Sequence, residues 1–142
     1  MYQAYTATVC GEMLKQAEMQ FNVSSRADAR YLLGHSNGGD MALLLLFNRP
    51  NEFGGVVAVS PACASMIVGM ADLPAERKQR IGIALSYTQH DLTPGFLSNT
   101  AECRGLLQER GIRHLVQYCP GASHDPASMA PFMPAALGFV VA

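Results

Sequence analysis

With 142 residues, 49% of them hydrophobic and 15% charged, the chain has the length of one domain with a real core and the composition of a globular protein somewhat apolar on its surface. A formal net charge of −1 gives no electrostatic footing for nucleic acid or an anionic membrane. The longest strongly apolar run, Met41 to Phe47, is far too short to span a bilayer, and no basic segment precedes a long apolar stretch, so neither a membrane partner nor a signal peptide is expected.

In chain order, Tyr5, Val9, Met13, Ala17 and Phe21 recur every four residues, with Glu12, Lys15 and Glu18 off that stripe, and predict an amphipathic helix. Asn22 to Arg26 is a polar break, and Arg30 to Leu33 reads as a strand. An apolar helix follows Ser36 and stops near Asn48-Arg49-Pro50. Gly55 to Ser60, β-branched and uncharged, reads as a buried parallel strand ended by Pro61. Residues 62–80 hold one short helix and a charged run, Glu76 to Arg80, expected to be a solvated face. Ile81 to Tyr87 is the third strand. Asn99 and Glu102 have capping-box spacing for a helix with Cys103, Leu106 and Leu107 on its apolar face, closed by Gly111. His114 to Tyr118 is the fourth strand. A last helix is expected from about Ser128 to Val141, with Pro131 and Pro134 in or near its first turn.

Helices alternating with short buried strands predict an α/β fold, three layers α/β/α around a parallel sheet of about four strands in one domain. Ligands of such sheets bind at the carboxyl ends of the strands. The segments expected there carry Ser36, then Ser60-Pro61, then His90-Asp91, then Ser123-His124-Asp125. Cys10, Cys63, Cys103 and Cys119 show no CxxC spacing and are expected to be reduced thiols of a cytoplasmic protein, although the spacing leaves a disulfide open.

The strongest motif is Gly34-His35-Ser36-Asn37-Gly38-Gly39. Gly-x-Ser-x-Gly between a strand and a helix is the pattern of a nucleophile elbow, which throws the serine out at the strand's tip. Gly34 and Gly38 are expected to be small because strand and helix nearly touch there. The following helix turns its N-terminal amides toward developing negative charge. A serine needs a base to take its proton, and that base needs a carboxylate to orient it. Asp91 and His124 fall on the sheet edge that presents Ser36, and they follow it in the order Ser, Asp, His.

Each residue has an alternative. Ser36 could merely cap a helix, and Asp91 could be a turn former before Thr93-Pro94-Gly95, with Asp125 as the rival acid. His124 could be a solvated loop residue, with His90 as the rival base, while His35 is expected to line the substrate pocket. The pairs His90-Asp91 and His124-Asp125 also invite a zinc or manganese reading, but they match no compact metal motif, and no metal is expected. Nothing near Cys63 or Cys119 in sequence would lower a thiol pKa.

The stretch Asp28-x-Arg30-Tyr31-Leu32-x-Gly34-x-Ser36-x-Gly38-Gly39 resembles the elbow entry of α/β-hydrolases in the esterase group that includes esterase D-like, feruloyl-esterase-like and enterochelin-esterase-like proteins. Asn48-Arg49-Pro50-x-x-Phe53 followed by Val56 to Ser60 resembles that group's next helix end and strand, and Gly121-x-x-His124-Asp125 its histidine loop. The resemblance runs from about Ala27 to the C-terminus. It implies hydrolysis of small-molecule carboxylic esters through an acyl-serine, without a cofactor. Ser36 would be the nucleophile, Asp91 the acid and His124 the base, with the Asn37 backbone N–H in the oxyanion hole.

Such hydrolases carry several strands before the elbow strand, whereas here the preceding residues read as one helix, so the expected core is minimal, lacking those early strands. The loop that usually gives the second oxyanion donor would be absent. The elbow strand would then lie on a sheet edge, and self-association into a homo-oligomer is expected to cover it. The short 62–80 stretch leaves little room for a lid, which suits short-chain acyl esters. A non-catalytic hydrolase-like binding module and an acyltransferase using the same serine are the alternative functions.

Overall fold

A computed structural model describes residues 2–92 and 94–142 of the chain. The N-terminal helix is built from α1 (Tyr2–Thr6), a π-helical stretch Ala7–Met13 and α2 (Leu14–Gln20). Its inward side is Tyr5, Val9, Cys10 and Leu14, while Met13 is 59% and Phe21 65% exposed. The four-residue stripe seen in the sequence therefore does not stay on the core. A step of four residues falls short of a turn in the π-helical stretch that holds Val9 and Met13, and Phe21 lies past the end of α2 on extended backbone.

After a short 3₁₀ turn at Ala27–Ala29, strands and helices alternate: β1 (Tyr31–His35), α3 (Asn37–Asn48), β2 (Gly55–Val59), α4 (Ala64–Met70), β3 (Gly82–Tyr87), α5 (Pro94–Glu109) and β4 (His114–Tyr118). The chain ends in α6 (Pro126–Met129), a 3₁₀ stretch Ala130–Phe132 and α7 (Met133–Val141). The strands form one parallel sheet in the order β1-β2-β3-β4. Right-handed crossovers that always step in the same direction must leave their helices on one face.

Accordingly, Val56, Ala58, Ile83 and Leu85 join residues of α3, α4 and α5 in one core, including Leu43, Leu46, Ile67 and Leu107. Alternate strand positions, Val57, Val59 and Ala84, point to the opposite face, where Met129, Ala136 and Val140 cover them. Each fully buried aliphatic side chain contributes about 1.5–3 kcal/mol. This is the expected α/β architecture, a short parallel sheet of four strands covered on both faces. The elbow strand β1 lies at a sheet edge, as expected, and Leu33 beside Val57 is left 62% exposed.

Several boundaries differ from the sequence expectation. Strand β1 continues through His35 instead of ending at Leu33. Helix α5 begins at Pro94, so Asn99 is inside it, and its side chain accepts from Ser65 N–H and donates to the Pro61 carbonyl instead of capping. The C-terminal helical segment opens at Pro126 with Asp125 as its N-cap, and Pro131 falls in a 3₁₀ stretch. The charged run is not wholly solvated, because Arg77 donates to the carbonyls of Pro50 and Phe53. Gly111, with φ 65°, closes α5 as expected.

Candidate active site

Strands β1, β3 and β4 aim their carboxyl ends at one place. Ser36 follows β1 directly with φ 54° and ψ −124°, a backbone conformation that L-residues rarely adopt. The turn is locked on both sides. Ser36 N–H donates to the Val59 carbonyl at 2.8 Å, and the Ser36 carbonyl accepts from Gly39 N–H at 2.9 Å and Asp40 N–H at 3.1 Å. A Cβ on Gly34 would collide with the backbone of Gly38, which explains the first glycine. The second expectation is corrected: a Cβ on Gly38 would meet nothing within 4 Å, and the tight neighbour is Gly39, whose Cβ would stand 3.1 Å from the Gly34 carbonyl oxygen.

Asp91 and His124 come to this turn from the loops after β3 and β4. His124 Nδ1 lies 2.8 Å from Asp91 Oδ1, and His124 Nε2 lies 2.9 Å from Ser36 Oγ. The Asp91 side chain is 3% exposed and that of His124 10%. A carboxylate can only accept, so the imidazole proton sits on Nδ1 and donates to Asp91, which leaves Nε2 free to accept from the serine hydroxyl. Phe96, in the first turn of α5, meets the His124 ring edge-on with centroids 5.1 Å apart.

The rivals are engaged elsewhere. Asp125 accepts from Ala127 N–H and Ser128 N–H, and those bonds hold its carboxyl below the usual range. The His90 ring is 2.9 Å from the Gln89 amide. Thr93 of the turn alternative lies outside the described residues, and Pro94 and Gly95 open α5. His35 packs its ring 4.7 Å from that of His124, with Nε2 buried and without a hydrogen-bond partner. Burial first, then the neighbouring His124, pushes the His35 pKa down, which favours the neutral imidazole.

Asn37 stands at the first position of α3, and its backbone N–H belongs to the helix turn that the elbow faces. Among the described residues no group of three or more His, Cys, Asp or Glu side chains could hold a metal. All four cysteines are free, and burial raises their thiol pKa values, to about 11 for Cys10 and about 12 for Cys103. No helix among the described residues is long and apolar enough to cross a membrane.

Sequence reasoning missed two supporting residues. Asp40, buried in the first turn of α3, accepts from Cys63 N–H at 2.9 Å and ties α3 to the loop after β2. Thr88, buried just past β3, bonds to both loops that bring Asp91 and His124. The one signal for Thr88 was a polar residue placed where an apolar strand gives way to a turn.

The family profile described as Putative esterase matches residues 2–101, well over half of the chain. No curated protein matches the sequence. Among solved structures, a ferulic acid esterase is 17% identical with a TM-score of 0.78, over 96% of this chain and 61% of that one. S-formylglutathione hydrolase from Staphylococcus aureus is 16% identical with a TM-score of 0.71, over 99% of this chain and 66% of that one. The enterobactin esterase of Shigella flexneri is 18% identical with a TM-score of 0.75, over 96% of this chain and 37% of that one. At such identities the likeness is one of fold, and the chain spans less than two thirds of the length of each. The profile match over most of the chain gives the conclusion: this chain belongs to the Putative esterase family.

Proposed function

We propose that the chain is a serine carboxylic-ester hydrolase for small short-chain acyl esters. The observation that carries this reading is the unbroken hydrogen-bonded line from Ser36 through His124 to Asp91. Ser36 Oγ attacks the ester carbonyl while His124 Nε2 takes its proton, and Asp91 holds the imidazole and balances the charge that forms. His124 then gives that proton to the leaving alcohol. A water molecule, deprotonated by the same nitrogen, releases the acid from the acyl-serine.

In this reading the Asn37 N–H faces the oxyanion, and His35 lines the wall beside His124. Each such donor contributes about 3 kcal/mol of transition-state stabilisation. The small-substrate part rests on the stretch between β2 and β3, which holds the seven-residue α4 and turns and leaves little room for a lid there.

The test is hydrolysis of p-nitrophenyl butyrate and p-nitrophenyl laurate by the chain and by Ser36→Ala. Butyrate turnover should fall about 10⁴-fold or more in the variant, and laurate should be the poorer substrate of the chain itself. Equal rates for the two proteins would overturn the serine mechanism, and a preference for laurate would overturn the substrate class.

The open edge supports self-association of two copies. Arg30 C=O and Ser36 N–H are turned toward β2, so alternation directs the N–H and C=O of Tyr31, Leu33 and His35 outward, in a row without a charged side chain. Sedimentation at micromolar concentration should show a dimer or larger species, and a monomer would count against it.

A further inference from the structure

Asp91 and His124 both sit on irregular backbone past the ends of their strands, where loops are ordinarily the most mobile part of a domain. Catalysis by such a pair tolerates little displacement, so something must hold the two loops together. We propose that Thr88 is the positioning residue that sets the distance between acid and base, with its hydroxyl pinning the histidine loop to the acid loop. The proposal rests on the serine-hydrolase reading of the site.

Thr88 is 1% exposed and makes bonds in both directions. Its backbone N–H donates to Asp91 Oδ2 at 3.0 Å, on the carboxylate oxygen that His124 does not use. Its hydroxyl donates to the Ala122 carbonyl at 2.5 Å, two residues before His124. The same oxygen accepts from His90 N–H at 3.4 Å, one residue before Asp91. One buried residue thus fixes the carboxylate, the peptide beside it and the peptide path that leads to the imidazole.

The surroundings make the hydroxyl the pivotal part. Cys119 N–H donates to the Tyr87 carbonyl, and an isolated parallel bridge joins His90 to Ser123, so the two loops run on side by side past the sheet. Thr88 sits inside that extension, with Ala122 buried at 2% exposure opposite it. A further side-chain link between the loops' neighbourhoods, Tyr118 Oη–H to Gln89 Oε1, is exposed to solvent and holds less firmly. Without the Thr88 hydroxyl, the Ala122 carbonyl would be buried without that donor, and the path to His124 would be free to shift.

The test uses Thr88→Val, which keeps the shape and the N–H to Asp91 but removes the hydroxyl, and Thr88→Ser, which restores it. For each protein, kcat and KM on p-nitrophenyl butyrate are measured together with the rate of Ser36 labelling by a fluorophosphonate. The low-field proton resonance of the His124 Nδ1–H bonded to Asp91 is followed alongside. The valine variant should lose about 10-fold or more in kcat and labelling rate with KM little changed, and its low-field resonance should broaden or vanish. The serine variant should recover most of both.

A valine variant with unchanged kcat and resonance would overturn the proposal, as would serine and valine variants impaired alike. If the valine variant does not fold, Thr88→Ala takes its place. If neither folds while serine does, the hydroxyl supports the fold and the positioning role falls. If the unsubstituted chain neither hydrolyses the ester nor labels at Ser36, it is the hydrolase reading that fails, and the resonance still reports whether Thr88 holds the His124–Asp91 pair.

Discussion

Ser36 and Ser60 stand at the tips of adjacent parallel strands, and both carry a backbone that L-residues avoid, with φ of 54° and 44°. Both are stitched to the next strand over: Ser36 N–H donates to Val59, and Ser60 N–H donates to Ser86. Their side chains part company. Ser36 Oγ meets an imidazole nitrogen at 2.9 Å. Ser60 is 1% exposed and donates its hydroxyl to the thioether of Met129 at 3.4 Å. Strain of order 1–3 kcal/mol is stored at both turns, yet of the two only Ser36 has an imidazole nitrogen beside its hydroxyl. A strained serine at a strand tip is thus an architectural device first, and it becomes chemistry only when other elements deliver a proton acceptor.

The largest way to probe that difference is at the floor of the Ser36 turn. Gly34→Ala puts a methyl group into the backbone of Gly38 and should cost roughly 3 kcal/mol. Gly38→Ala, with open space around its Cβ, should be neutral or stabilising by up to about 1 kcal/mol. Urea denaturation midpoints would show it, and equal losses would mean that the tightness of the turn is misread.

A smaller effect belongs to Asp40, which links the helix after one serine to the loop after the other. Burial raises its carboxyl pKa, against the opposing pull of the Cys63 and Ala62 amides. A carboxyl whose pKa is raised on folding favours the folded state most when protonated, and that advantage is lost as pH rises through the folded value. Asp40→Asn keeps an acceptor for Cys63 N–H and carries no charge. Its stability relative to the unsubstituted chain should therefore improve from about pH 4 to about pH 7, by a few tenths to about 1 kcal/mol. Thermal melts at the two pH values would decide, and a difference that shrinks with rising pH would contradict the assignment.

The smallest expected effect is the sharpest control. Ser60→Ala should leave p-nitrophenyl butyrate turnover essentially unchanged, because its hydroxyl faces the core. A loss comparable to that of Ser36→Ala would break the contrast between the two turns.

Much of this was legible in the sequence because the relevant signals are local. The β-branched runs of β2 and β3, the Gly-x-Ser-x-Gly turn and Gly111 each report a backbone state that neighbouring residues determine. The order Ser36, Asp91, His124 also placed three side chains on one sheet edge, and they meet within hydrogen-bonding distance. What was not legible depends on partners distant in sequence. Asn99 looked like a helix cap, but its amide is engaged by Pro61 and Ser65, and the helix had already started at Pro94. Arg77 looked solvated until the carbonyls of Pro50 and Phe53 came within reach. Thr88 carries no motif at all, because its role is defined by the loop it touches.

The arrangement of layers has a consequence for the order in which the molecule is made. All three crossover helices lie on one side of the sheet, so that side can close as soon as β1 to β4 have emerged from the ribosome. The other side, where Val57, Val59 and Ala84 are covered by residues 129–140, stays bare until the final helices dock. During synthesis the strand and helix that flank Ser36 therefore emerge well before His124, and the exposed valines of the uncovered face are what a chaperone or a second nascent chain would meet in that interval.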